Sequence, residues 1–221
     1  MTSIAIFGAG GRAGRALTAE ARTRGHQVTA VVRDPNRHAG IEAVGVTVVR
    51  GNVTDTEHIP AIVRGHDAVV HAVSPFSGPD QGFADLDPHF FVKAADALLD
   101  GMAGAGVPRL LVVGLFATLT TTDGRMVMDD PSMFPAQIRP FAAAHAAGLD
   151  RLKSRRTSVD WLTLTPPALL RADGPRTGHY RIGGETAAPA SAYLSYADLA
   201  VAMIDEIEEP RHHRTRVSVF N

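Results

Sequence analysis

Four glycines fall within seven positions in Gly8-Ala9-Gly10-Gly11-Arg12-Ala13-Gly14, directly after the apolar run "IAIF" at 4–7. The spacing Gly8-x-x-Gly11-x-x-Gly14, between a strand and a helix, suits a backbone that a pyrophosphate must approach. The first glycine turns the chain, the next leaves room for the ligand, and the last lets helix and strand pack. Unpaired N–H groups at the helix start then face the phosphates. Gly8, Gly10, Gly11, Arg12 and Gly14 are therefore candidate dinucleotide contacts. Asp34 lies twenty residues after Gly14, where an acidic side chain would hold a ribose 2′-hydroxyl. Arg33 precedes it, however, and Arg12 sits in the loop. Two guanidiniums converging there suit a 2′-phosphate, which favours NADP(H) over NAD(H). Asn52 and Asp55 in "GNVTD" would flank the adenine. Ser74 and Pro166, in the loops after two later strands, complete the cofactor-facing set.

These residues need a scaffold, and the chain supplies a repeated one. Apolar runs at 4–8, 27–33, 46–51, 67–73, 109–114 and 159–165 read as strands, several apolar nearly throughout, as strands covered on both faces are. Helical patterns lie between them, including 88–104 and 138–154. Strand and helix in alternation predict an α/β fold with a parallel sheet and helices on both faces. Ligands then belong beyond the carboxyl ends of the strands. After residue 165 the rhythm breaks into Pro- and Gly-rich sequence. A last helix follows, with Ser195 as N-cap and Asp198 three residues on, then a final strand "TRVSVF". The 221 residues fit one domain, 1–221, with 166–221 as the substrate-side segment. A net charge of −1 gives no reason to expect nucleic acid or a membrane as partner. No cysteine, leader or bilayer-length apolar run is present, so a cytoplasmic location is expected.

The segments "IAIFGAGGRAGRAL…RGHQVTAVVRDP", "VPRLLVVG", "DWLTLTPPA", "RTGHYRIGG" and "SYADLAVAMIDEIEEP" together resemble the NAD(P)H-binding, NmrA-like atypical short-chain dehydrogenases. The nearest branch is the flavin-reductase-like one, beside proteins similar to biliverdin reductase B. The resemblance spans essentially the whole chain. It implies a Rossmann-like doubly wound sheet, a nicotinamide nucleotide, and a small substrate or flavin over the nicotinamide. Tyr180, within one of the shared segments, would cover the substrate or pin its loop. The sequence departs from the branch at "GLFATL", where a second glycine and small residues usually follow the fifth strand. The loops "SPFSGPDQGFADLDP" and "TTTDGRMVMDDPSMFP" are also its own.

Standard short-chain dehydrogenases protonate a carbonyl with Tyr-x-x-x-Lys. Here the residues four beyond Tyr180, Tyr193 and Tyr196 are Gly184, Ala197 and Ala200, and the only lysines are Lys93 and Lys153. Either hydride goes to an acceptor that tolerates the resulting charge, or another acid serves. His71 at the end of the fourth strand, Thr118 after the fifth and His145 on an alanine-rich helix are the catalytic candidates. Phe76 and Phe116 are expected as apolar substrate walls, with Phe83 and Phe134 as further candidates. No metal-ligand spacing or Gly-x-Ser-x-Gly elbow is present. The expected function is hydride transfer from NAD(P)H to a flavin, quinone or conjugated carbonyl, with FMN or FAD as substrate rather than resident group. A nucleotide sensor without catalysis and a nucleotide-dependent epimerase or dehydratase are the alternatives. Oligomeric state is not readable.

Overall fold

The computed structural model describes residues 1–75 and 86–221. β1 (Ser3–Phe7), α1 (Arg12–Thr23), β2 (Gln27–Val32), β3 (Val46–Arg50), α2 (Ile59–Val63) and β4 (Ala68–His71) form the first half. α3 (Phe90–Ala105), β5 (Arg109–Val113), α4 (Arg139–Ser154) and β6 (Asp160–Thr165) continue the alternation. β7 (Leu169–Arg171), β8 (Arg181–Ile182), β9 (Tyr193–Ser195), α5 (Tyr196–Glu208) and β10 (Thr215–Phe220) complete the chain. The eight-stranded sheet runs β3-β2-β1-β4-β5-β6-β10-β8, and β7 pairs with β9 apart from it. Every pair is parallel except β8 on β10. This is the α/β, Rossmann-like, doubly wound architecture expected from the sequence.

The apolar strands follow from cover on both faces. Ile4 and Ile6 of β1 join Val70, Leu111, Leu162 and Leu164 beneath α1 and α5. Ala5 and Phe7 join Val69, Leu110 and Trp161 beneath α2, α3 and α4. Each such large apolar side chain, once buried, stabilises the fold by about 1.5–3 kcal/mol. α3 stops where Gly106 adopts a left-handed conformation (φ +73°). α5 starts at Ser195, whose Oγ accepts the Asp198 N–H at 2.9 Å.

Asp198 also organises the irregular tail. Its buried carboxylate accepts N–H bonds from Thr177 and Gly178 at 2.8 and 2.9 Å, and the Thr177 hydroxyl at 2.8 Å. The 3-10 segment Pro35–Ile41, α2 and the short strands β7 to β9 are elements that local pattern does not reveal. Their pairings join residues far apart in sequence.

A candidate nucleotide and acceptor site

The strand order reverses between β1 and β4, which opens a crevice above their carboxyl ends. The glycine loop lies at this switch point. Gly8 has φ +85°, and a Cβ there would stand 2.6 Å from the Ala72 carbonyl oxygen. A Cβ on Gly14 would collide with the Gly8 carbonyl. Both glycines are therefore demanded by the turn that joins β1 to α1. No side chain caps α1 at Gly11, and no acidic residue occupies its first turn. The orphan N–H groups and positive end of this 12-residue helix are left for an anion. This cradle fits a dinucleotide pyrophosphate.

At the end of β2, Arg33 is exposed, and neither it nor Arg12 forms an ion pair among the described residues. The Asp34 carboxylate is turned to its own segment. It accepts the Asn36 N–H at 3.2 Å and stands 3.7 Å from Arg37. Beyond β3, Asn52 and Asp55 fold their own loop. Asn52 Oδ1 accepts from Thr54 N and Oγ1 at 3.2 and 3.1 Å. Asp55 accepts from Glu57 and His58 N–H groups and contacts the His58 ring at 2.9 Å. The His58 contact holds the Asp55 carboxyl below its ordinary range. Both Asp55 oxygens are engaged, which leaves the Asn52 amide nitrogen as the free donor of the pair. Ser74 is exposed just past β4, and Pro166 is buried just past β6.

Three catalytic candidates meet around one cavity of about 30 Å³, lined by His71, Phe91, Leu115, Thr118, His145 and Thr163 among others. That volume holds one or two waters, and no flavin ring. His71 ends β4 and is 5% exposed. Its Nδ1 accepts the Val73 N–H at 3.3 Å, which places the proton of the neutral ring on Nε2. Nε2 has no partner among the described residues. Burial lowers the His71 pKa to about 4. His145 stacks on Phe91 with ring centroids 3.7 Å apart and meets Phe141 edge-on at 4.8 Å. Burial, then the neighbouring His71, lowers its pKa to about 3. Both imidazoles are neutral at physiological pH. Gly148 makes the arrangement sterically feasible, because a Cβ there would strike Phe91.

Thr118 faces the same cavity, but its hydroxyl donates to the Leu115 carbonyl at 2.8 Å. Its proton is committed to its own turn. The Thr118 carbonyl accepts from Arg216, which is 3% exposed on β10 and also pairs with Glu185 at 2.8 Å. Register explains how a residue so distant in sequence reaches it. Phe7, His71, Val112, Thr163 and Arg216 form one row across β1, β4, β5, β6 and β10. Neighbouring strands stand about 4.8 Å apart, so the row carries groups from His71 to Arg216 along one face.

Two expected substrate contacts lie elsewhere. Tyr180 is not in the cavity: its hydroxyl donates to Asp205 of α5 at 2.6 Å. Burial, then that carboxylate, raises its pKa. Phe116 packs edge-on against Phe134 at 5.7 Å in a small core with Ala117, Val127 and Ala142. Phe76 and Phe83 lie outside the described residues. Phe91, Thr163 and Arg216 were not identified as site residues from sequence. For Thr163 a signal exists, since Thr163 and Thr165 alternate with the buried apolar residues Trp161, Leu162 and Leu164 of β6. Among the described residues, no group of three or more His, Cys, Asp or Glu side chains could hold a metal ion. No described helix is long and apolar enough to cross a membrane.

Residues 8–210 match the family described as NAD(P)H-binding. The YwnB protein of Bacillus subtilis, itself uncharacterized, is 34% identical over 99% of this chain and 98% of its own length. A candidate epimerase from Bacteroides thetaiotaomicron superposes with a TM-score of 0.85 at 33% identity, over 99% of this chain and 96% of that one. A candidate NADH-flavin reductase from Streptococcus pneumoniae gives a TM-score of 0.83 at 29% identity, over 100% of both chains.

Proposed function

Since the chain belongs to the NAD(P)H-binding family, we propose that it is a nucleotide-dependent reductase that passes hydride to a small conjugated acceptor, a flavin, quinone or enone. When bound, the nicotinamide supplies the hydride. Gly8, Gly10, Gly11 and Gly14 with the start of α1 hold the pyrophosphate. Arg12 and Arg33 bind a ribose 2′-phosphate, and the lack of a carboxylate partner for either guanidinium among the described residues supports NADP(H) over NAD(H). The Asn52 amide, Ser74 and Pro166 border the nucleotide. The acceptor lies at the mouth of the His71 cavity, because the cavity itself is too small for a ring system.

The observation that carries the choice of acceptor is the state of the two imidazoles. The His71 Nε2–H is buried, preorganised and unspent among the described residues, so it donates to a water in the cavity, which relays the hydrogen bond to the acceptor atom at the mouth on which negative charge develops. A pKa near 4 makes the ring a weak base, and His145 is weaker still. That opposes an epimerase chemistry, which must remove a carbon-bound proton. A delocalised acceptor needs no strong acid and takes its proton from water, which the cavity can hold.

Steady-state oxidation of NADPH and NADH with FMN, a simple quinone and an enone tests the reading. The expected result is turnover that prefers NADPH and falls about a hundredfold in kcat in His71→Leu, as loss of one transition-state hydrogen-bond donor implies. Tight nucleotide binding without turnover on any of these acceptors overturns it.

A further inference from the structure

The contacts of Gly10 are not explained by the turn. A Cβ at Gly10 would stand 2.5 Å from His38 Cε1, 2.6 Å from Nε2 and 2.9 Å from Nδ1. The imidazole therefore lies against the glycine loop, in the room that a side chain at position 10 would take. His38 comes from the 3-10 segment Pro35–Ile41, and the backbone leaves helical geometry at that residue (φ −131°, ψ 20°). Arg15 of α1 joins the two: its Nε donates to the Gly10 carbonyl at 3.0 Å, and its Nη2 approaches His38 Nδ1 at 3.5 Å. A guanidinium only donates, so Nδ1 is the acceptor and Nε2 carries the proton.

The charge around this ring is unbalanced. Arg15 faces it from α1, Arg12 opens the same helix and Arg33 follows β2, and none of the three pairs with a carboxylate among the described residues. The nearby acid of the same segment, Asp34, accepts from Asn36 N–H and faces Arg37. Uncompensated cations with a ring donor beside them suit a multiply charged anion.

We infer that His38, seated on Gly10, is a specificity-determining residue that selects nucleotides bearing a 2′-phosphate. The inference rests on the proposed NADP(H) reading and adds a residue to it. Gly10 then has a second role, to leave space for the imidazole.

Titration of NADPH and NADH into the full chain, followed by nucleotide fluorescence, tests it. His38→Ala is expected to weaken NADPH about tenfold, one charge-assisted hydrogen bond, and NADH less than about twofold. Gly10→Ala, which must displace the ring, is expected to shift the NADPH/NADH ratio the same way. The double variant Gly10→Ala/His38→Ala is expected to lose little more than either single one. Equal weakening of both nucleotides, or an unchanged ratio in His38→Ala, overturns the inference alone. A wild-type protein that binds NADH as tightly as NADPH, or binds neither, overturns the cofactor reading and the inference with it.

Discussion

Replacing His71 by Gln is expected to change how stability depends on pH. His71 ends β4 with its ring 5% exposed, and burial lowers its pKa from 6.5 to about 4. In the unfolded chain the ring takes up a proton near pH 6.5, whereas in the fold it stays neutral until near pH 4. The unfolded state thus binds more protons below about pH 6.5, so stability falls as pH falls through that window and levels off near 4. Between pH 8 and pH 5 the unfolded ring gains about 1.5 log units of protonation free energy and the folded ring almost none. At about 1.36 kcal/mol per unit, that is a loss of about 2 kcal/mol. Urea unfolding of wild type and His71→Gln at pH 8, 6.5 and 5 measures it. Whatever His71→Gln costs at pH 8, the gap between the two proteins should narrow by about 2 kcal/mol at pH 5. Parallel curves would refute the argument that His71 is buried in neutral form.

Three further variants test the scaffold of the site. Asp198→Ala removes the acceptor of Thr177 and Gly178, and is expected to cost about 3 kcal/mol in denaturant unfolding. Ser195→Ala removes the α5 N-cap and should cost about 1 kcal/mol, read as a lower Tm. Arg216→Met leaves the Thr118 carbonyl and Glu185 without their buried donor, at about 2 kcal/mol. It should also raise the acceptor KM more than it lowers kcat, because the loop at the cavity mouth loses its tether.

Much of this molecule is legible in its sequence, and the division is physical. The strands β1, β2, β4, β5 and β6 are apolar runs because two helical layers cover them, and the glycines of the first loop announce their turn. The Ser195 cap was legible because the hydroxyl and the N–H it accepts are three residues apart. For Tyr180 the sequence leaves two destinations open, and the bond to Asp205, 25 residues later on a helix face that local pattern cannot place, fits the one in which it pins its loop. Phe116 is apolar and next to the site, yet a neighbouring aromatic from the long insertion, Phe134, draws it into a separate core. Asp55 holds its own turn through bonds to Glu57 and His58, a local role that the motif does not announce. Arg216 reaches the site through a register across five strands, which only the assembled sheet displays.

The most direct test of the account is the affinity of NADPH for wild type and for Gly14→Ala. In the variant the new Cβ meets the Gly8 carbonyl at the base of the phosphate cradle. Micromolar or tighter binding to wild type, weakened at least about tenfold in a variant that remains folded by circular dichroism, is the predicted result. Unchanged NADPH affinity in folded Gly14→Ala, or no NADPH binding to wild type, would contradict the assignment of the glycine loop as the nucleotide's seat.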